Sequence, residues 1–186
     1  MKTIIFVASG ETNKEYLNYH YLGFGREIVP LTDKGKQQAV TVAEKIKNDK
    51  GEIIISSPYT RALEAASIIS RRLNIDLEVE PGLHDWIPKD PYDSTSDFSF
   101  KPAYNTFIAY NGKHDPVHRY RYESLPEMKD RVIRTLDKYL KTYEVINELA
   151  IPKVHIVLPT VVSFSNDGVN TNLLSGGAVF SMGKLV

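Results

Sequence analysis

Three side chains that could act together on a phosphoester or another hydrolysable group stand just after runs that read as strands. Ser9 lies in Ala8-Ser9-Gly10-Glu11-Thr12, Arg61 follows Ser56-Ser57-Pro58, and Asp85 sits in Leu83-His84-Asp85-Trp86. A hydroxyl could attack, a carboxylic acid could protonate the leaving oxygen, and a guanidinium could hold the developing charge. Serine becomes nucleophilic only with a base or metal beside it, and the sequence places neither next to Ser9. The chain has five histidines. His155 precedes Pro159 by four residues on a candidate strand, about 13 Å at strand rise, and reads as a packed strand histidine. His84 neighbours Asp85, but alternation along an extended segment points it to the opposite side. His20, His114 and His118 fall in irregular stretches and read as solvent-exposed loop histidines.

The elements that must position these residues follow from periodicity. Thr3 to Val7 is a β-branched and aromatic run of the kind buried in a parallel sheet. Thr32 can cap a helix on which Ala39, Val42, Ala43 and Ile46 recur at helical spacing, and Lys50-Gly51 ends it. Glu52 to Ser57 reads as a second strand. Arg61 to Leu73 follows as a helix with Ala62, Ala65, Ala66, Ile69 and Leu73 on one face. Asp76 to Glu80 reads as a third strand closed by Pro81-Gly82.

From Trp86 to Tyr122 no period is sustained. The segment nevertheless holds nine aromatic residues, so it can bury surface and reads as an ordered excursion over the sheet. Within it the basic run His118 to Tyr122 reads as a solvated loop. Ser124-Leu125-Pro126-Glu127 is a capping box, and Leu125, Met128, Val132, Leu136, Tyr139, Tyr143 and Ile146 trace one long apolar face behind it. Val154 to Pro159 reads as a fourth strand and Ala178 to Gly183 as a late edge strand. Strands alternating with helices predict an α/β fold, a three-layer sandwich around a mostly parallel sheet. In such sheets ligands bind beyond the carboxyl ends of the strands, where Ser9, Arg61, Asp85 and Pro159 fall.

Across roughly residues 2 to 164, these landmarks resemble the histidine phosphatase superfamily, which includes cofactor-dependent phosphoglycerate mutases and many small phosphatases. Gly10-Glu11-Thr12 matches the end of its Arg-His-Gly-Glu-Thr signature. Pro30-Leu31-Thr32, Gly35 and Gln38-Ala39 match its first helix start. Ser56-Ser57-Pro58 with Arg61-Ala62 and Ala65 is similar to its Ser-Ser-Pro-x-x-Arg-Ala segment, with alanine where the family has threonine. Leu83-His84-Asp85 resembles its Leu-x-Glu, and Glu123-Ser124 with Arg131 its Gly-Glu-Ser helix start. The resemblance implies a phosphoglycerate mutase-like fold. It also implies a phosphohistidine reaction, in which a neutral imidazole attacks phosphorus while a second histidine and two arginines share the charge and a carboxylic acid protonates the leaving oxygen.

Several of the implied groups are missing here. The signature arginine aligns with Ala8, the nucleophilic histidine with Ser9, the second histidine with Pro159, and a glycine beyond it with Thr160. Only Arg61 and a shortened acid, Asp85, remain. Where catalytic groups act as a unit, losing one can cost as much as losing all, on the order of 10⁶ in rate. Each lost charge-assisted hydrogen bond removes about 1.5–3 kcal/mol of binding. Pro159 lacks an N–H, and Thr160 adds bulk where glycine let a ligand approach. Each retained landmark also has a structural reading. Thr32 and Ser124 cap helices, Gly35 and Ala39 permit packing, Arg61 either pairs at a helix start or binds an anion, and Asp85 is a loop carboxylate that could pair with Arg61.

The sequence therefore points to a catalytically inactive protein of this fold, a ligand sensor or partner-binding pseudoenzyme. Its vestigial pocket would comprise Ala8, Ser9, Gly10, Thr12, Arg61, Asp85, Pro159 and Thr160. The alternative is a weak phosphatase or other hydrolase using Ser9, Asp85 and Arg61. The resemblance further implies that the 86–122 excursion is a lid over that pocket. At 186 residues the chain is long enough for one domain, 1–186, and short for two. Hydrophobic residues at 42% and charged residues at 25% are globular values that argue against disorder. The net charge is zero, so no overall field recruits nucleic acid or an acidic membrane. The absence of cysteine excludes disulfides, thiolate nucleophiles and cysteine-ligated zinc. No apolar run approaches the roughly 18 residues of a spanning helix, and none near the amino terminus has signal-peptide length. The expectations are a cytoplasmic protein without cofactor or metal, whose partner is a small anionic ligand or another protein.

Overall fold

The computed structural model describes residues 3–13, 15–16, 28–49, 51–86, 100–117, 120, 122–142, 153–158, 163–165, 168–170 and 179–182. Strands β1 (Thr3–Ala8), β2 (Ile53–Ser56), β3 (Leu77–Val79) and β4 (Lys153–Leu158) run parallel in one sheet. A short hairpin of β5 (Ser163–Ser165) and β6 (Gly168–Asn170) follows, and β7 (Val179–Met182) joins the main sheet antiparallel to β1. The sheet order is β3-β2-β4-β1-β7. The helices are α1 (Asp33–Ile46), α2 (Thr60–Leu73), α3 (Phe100–Ala109) and α4 (Leu125–Thr142). The fold is thus α/β with a mostly parallel sheet, as the alternating pattern predicts.

Strand alternation divides the core between two faces. Ile5 and Val7 of β1 and Ile54 of β2 pack with Leu31, with Ala39, Val42, Ala43 and Ile46 of α1, and with Ala62, Ala65, Ala66 and Ile69 of α2. Phe6, Ile53 and Ile55, one residue out of phase, pack instead with Leu83 and with Val132, Leu136 and Tyr139 of α4. Chain direction accounts for this division. The path β1 to β2 to β3 moves one way across the sheet, and right-handed crossovers keep α1 and α2 on one face. The return from β3 to β4 runs the other way, so α4 must cover the opposite face.

The caps follow the sequence. Thr32 Oγ1 accepts the Gly35 N–H at 3.0 Å, and Ser124 and Glu127 form the capping box, with the Ser124 N–H and Oγ–H each donating to Glu127 Oε2 at 2.8 Å. Asn74 ends α2 in the left-handed conformation, φ 54°, its N–H donating to the Ser70 carbonyl. Two features depart from the expectations of the sequence. The 86–122 excursion is not without period, because it contains α3. Its apolar positions serve a separate aromatic cluster and Pro102 occupies its first turn, which hid the helix. The β5–β6 hairpin went unread because three-residue strands carry too little alternation to detect. The apolar face of α4 extends in sequence to Tyr143 and Ile146, but those two residues lie outside the described residues.

Two local contacts are tight enough to test. An added Cβ at Gly35 would collide with the Glu11 carbonyl oxygen, so the first turn of α1 lies directly on the loop after β1. Gly35→Ala should destabilise the fold by about 1–3 kcal/mol through this backbone collision, read from urea unfolding. Glu80 caps the 3₁₀ turn Pro81–Leu83, accepting the Gly82 N–H at 2.8 Å, and also accepts from Lys138 at 3.1 Å and the Tyr139 hydroxyl at 3.0 Å. Burial opposes its ionisation, but these hydrogen bonds outweigh burial and hold its pKa below the ordinary glutamate value. A depressed carboxylate stabilises the fold above its unfolded pKa of about 4.3, and this contribution is lost as the pH falls through the lower folded value. Glu80→Gln should therefore lower stability by roughly 1–2 kcal/mol at pH 7 and flatten the acid limb of the melting-temperature profile below about pH 4.3.

Candidate functional site

Parallel pairing brings the carboxyl ends of β1, β2 and β4 to one edge. Ala8 is in register with Leu158, and Ser56 with Val157, so β4 lies between β1 and β2. At sheet spacing the chain leaves β1 at Ser9 and β2 at Ser57 about 10 Å apart. Ala8 and Ser9 are buried, 6% and 3% exposed, so the β1 end presents small side chains inside the molecule. Pro159 and Thr160, the next residues after β4, lie outside the described residues. Ser56 Oγ–H donates to the Ser57 carbonyl at 2.8 Å, while Ser57 Oγ is buried without a hydrogen-bond partner.

The loop after β1 is held by α1. Gly10 has φ 106°, and a Cβ there would stand 2.9 Å from the Gly35 carbonyl oxygen, so both conformation and space require glycine. The Glu11 N–H donates to Gln38 Oε1 at 2.8 Å, the Glu11 carbonyl accepts the Thr32 N–H at 3.0 Å, and Thr12 bridges to Leu31. The Glu11 carboxylate accepts from Thr32 Oγ1 at 3.0 Å and from Lys34 Nζ at 2.8 Å. Glu64 of α2 adds a further anchor, accepting the Leu31 N–H. The retained residues Gly10, Glu11, Thr12, Thr32, Gly35 and Gln38 are therefore partners of one another.

Arg61 stands in the first turn of α2 with its side chain 9% exposed, and its Nη2 lies 3.1 Å from Oδ2 of Asp85, itself 17% exposed. Its guanidinium carbon sits 4.9 Å from the centre of the Tyr59 ring. The other Asp85 oxygen accepts the Trp86 N–H at 2.8 Å. The pairing of Arg61 at the helix start is thus present in the structure. A buried ion pair is costly to break, because removing one partner leaves the other charge uncompensated.

A second buried pair fixes the segment that carries Asp85. Arg131 forks onto Glu123, Nε to Oε1 and Nη2 to Oε2, both at 2.7 Å. Its Nη1 donates to the carbonyls of Gly82 at 2.7 Å and His84 at 3.1 Å. The Trp86 indole N–H donates to the Glu123 carbonyl at 2.7 Å. Asp85 thus lies between two attachments to the start of α4. The sequence groups Glu123 with Arg131 as a family landmark but does not reveal that they pair. The signal of that pairing was a charge at position 131, on the apolar stripe that Met128, Val132 and Leu136 define.

Trp86 belongs to a third cluster, with Ala103 and Phe107 of α3, Tyr122, and Met128 of α4. Its ring lies 5.2 Å from Phe107, 5.9 Å from Tyr104 and 6.0 Å from Tyr122, centre to centre. Tyr122 is fully buried, which corrects the solvated reading for that residue, while His118, Arg119 and Arg121 of the same run lie outside the described residues. The Tyr122 hydroxyl donates to the Lys113 carbonyl at 2.7 Å and accepts the Asp115 N–H at 3.1 Å, and burial raises its pKa. His114 is likewise not a free loop histidine. Its Nε2–H donates to Glu127 Oε2 at 3.0 Å, and its ring lies 5.5 Å from that of Tyr122.

The remaining histidines divide. His84 Nδ1–H donates to the Asp85 carbonyl at 2.7 Å. His155 is the third residue of β4, in register with Ile5 and Ile54. His20 and His118 lie outside the described residues. Among the described residues, no group of three or more His, Asp or Glu side chains could hold a metal ion, and no helix is long and apolar enough to cross a membrane.

Comparison with solved structures finds this fold among phosphatases. A mycobacterial glucosyl-3-phosphoglycerate phosphatase in complex with VO3 superimposes with a TM-score of 0.60 at 18% identity, covering 85% of this chain and 75% of that one. Bacillus stearothermophilus YhfR gives 0.62 at 21% identity over 85% and 74% of the two chains. A phosphoserine phosphatase from Entamoeba histolytica, with a histidine replaced by alanine and in complex with phosphoserine, gives 0.56 at 23% identity over 85% and 74%. Comparison with curated protein sequences finds no match. Residues 4–151 match the model of the histidine phosphatase superfamily, branch 1, so the shared order of Gly10-Glu11-Thr12, Ser56-Ser57-Pro58 and Arg61 reflects descent: the chain belongs to the histidine phosphatase superfamily.

Proposed function

We propose that this chain keeps the histidine phosphatase fold without histidine-based phosphoryl transfer, and works by binding a small anion or a protein partner. The Arg61–Asp85 pair carries this reading. A phosphoryl-transfer site needs its arginine open to the substrate and its acid open to the leaving oxygen. Here each occupies the other, and the second Asp85 oxygen is taken by the Trp86 amide. Ala8 and Ser9 fill the two positions where the family resemblance implies the arginine and the attacking imidazole. The rival hydrolase would need Asp85 and Arg61 apart, and Ser9 activated although only 3% exposed.

Binding of a phosphate ester by this fold in a chain with one histidine replaced has support from another protein of the fold. The Entamoeba histolytica phosphatase holds phosphoserine with one histidine replaced by alanine. Ser57 Oγ, buried and unpartnered at the same sheet edge, is a donor that a ligand oxygen could use. A protein partner is favoured by three exposed apolar side chains in α3 and the loop after it: Ile108 at 47%, Tyr110 at 42% and Val117 at 74%. The proposal treats residues 1–186 as one cytoplasmic domain that binds neither nucleic acid nor membrane and carries no cofactor.

Turnover of a generic phosphomonoester by the native chain, by Ser9→Ala and by the combined variant Ala8→Arg, Ser9→His, Pro159→His, Thr160→Gly tests the reading. The native chain should match the buffer blank, and the combined variant should exceed it. Native turnover near the usual enzyme range of about 1 s⁻¹ or more, abolished by Ser9→Ala, would establish the hydrolase instead. The structural role of the pair has its own signature. Asp85→Ala should cost about 3 kcal/mol in urea unfolding, because it removes a buried ion-pair partner of Arg61, whereas Ser9→Ala should cost less than about 1 kcal/mol.

A further inference from the structure

Asp85 connects two regions that otherwise belong to different cores. One of its oxygens faces Arg61 at the sheet edge, and the other accepts the amide of Trp86, whose ring is central to the aromatic cluster against α3. No residue intervenes. On either side of this carboxylate the chain is tied down, through the His84 carbonyl on Arg131 and through the Trp86 indole on the Glu123 carbonyl. The backbone around Asp85 is therefore clamped to α4. The side chain is the part that can respond when its counterion is taken.

Resting on the reading that an anion binds at the sheet edge, we propose that Asp85 is a displaceable internal counterion that reports occupancy to the aromatic cluster. A phosphate group carries more charge than a carboxylate and offers the guanidinium two oxygens at bidentate spacing, so it competes for Arg61 on favourable terms. Once Arg61 turns to the phosphate, Asp85 faces a like charge and rotates away. That rotation alters the charge-assisted hydrogen bond from the Trp86 amide, and with it the setting of the indole among Tyr104, Phe107 and Tyr122. The exposed apolar residues Ile108 and Tyr110 lie at the far end of the same segment. The ligand class is a phosphate or phosphomonoester, and the output is the surface at the end of α3.

Trp86 is the single tryptophan of the chain, so its emission isolates this event. Inorganic phosphate is titrated into the native chain at constant ionic strength, with calorimetry measuring binding and fluorescence measuring Trp86. The expected result is one saturation curve in both. Asp85→Asn should bind phosphate about tenfold more tightly, since a competing charge is gone, while losing most of the fluorescence change. Binding without a Trp86 response, or an undiminished response in Asp85→Asn, overturns the coupling and leaves the anion-binding reading standing. No calorimetric binding to either chain overturns both. Should Asp85→Asn not fold, the native chain still decides, because binding with a silent Trp86 is by itself contrary.

Discussion

A guanidinium taken out of water must meet an opposite charge inside the protein, and this chain meets that demand twice at the edge of its sheet. Arg61 is answered by Asp85 and Arg131 by Glu123, with side-chain exposures of 9% and 17% in the first pair and 15% and 12% in the second. The two pairs are not independent. Arg131 also holds the carbonyls of Gly82 and His84, so the position of Asp85 is set from α4 before Arg61 meets it. Removing water from charges costs more than their attraction returns unless the geometry is good, and the fork of Arg131 on Glu123 provides it. The path from β3 into the aromatic cluster follows from where these charges have to be.

Much of this architecture could be read from residue spacing. The period of α1 and α2, the Thr32 cap and the Ser124–Glu127 box are local patterns, and local patterns survive translation into structure. The frame of the site was legible for the same reason, since Gly10, Thr12, Arg61 and Asp85 sit at strand and helix ends that periodicity locates. The partners of those residues were not. Gln38 reaching the Glu11 amide, Glu64 reaching the Leu31 amide and Arg131 reaching the Gly82 carbonyl span 27, 33 and 49 positions. No local pattern encodes such distances. The helix α3 was missed for a related reason, because its neighbours Trp86 and Tyr122 come from either side of it in sequence.

The family-like loop after β1 has a physical explanation that does not depend on chemistry. Gly10 and Gly35 are obliged by a close backbone approach, and Glu11, Thr32 and Gln38 satisfy backbone groups that burial would otherwise leave unpaired. A frame of this kind keeps its shape whichever side chains stand at positions 8 and 9, which is why membership of a phosphatase family and the chemistry of this chain are separate questions.

The sheet's outer boundary has a bearing on how the protein behaves in a crowded solution. β3 is only three residues long, Leu77-Glu78-Val79, and among the described residues its outer side carries no strand. Val79 is 49% exposed there, a residue of high strand propensity that could invite another chain to add on. The shortness of the strand and the charge of Glu78 at its centre leave a second molecule few hydrogen bonds to form and a buried carboxylate to accommodate. The edge nearest the Arg61 region is thus kept from templating aggregation by being too small and too polar to copy.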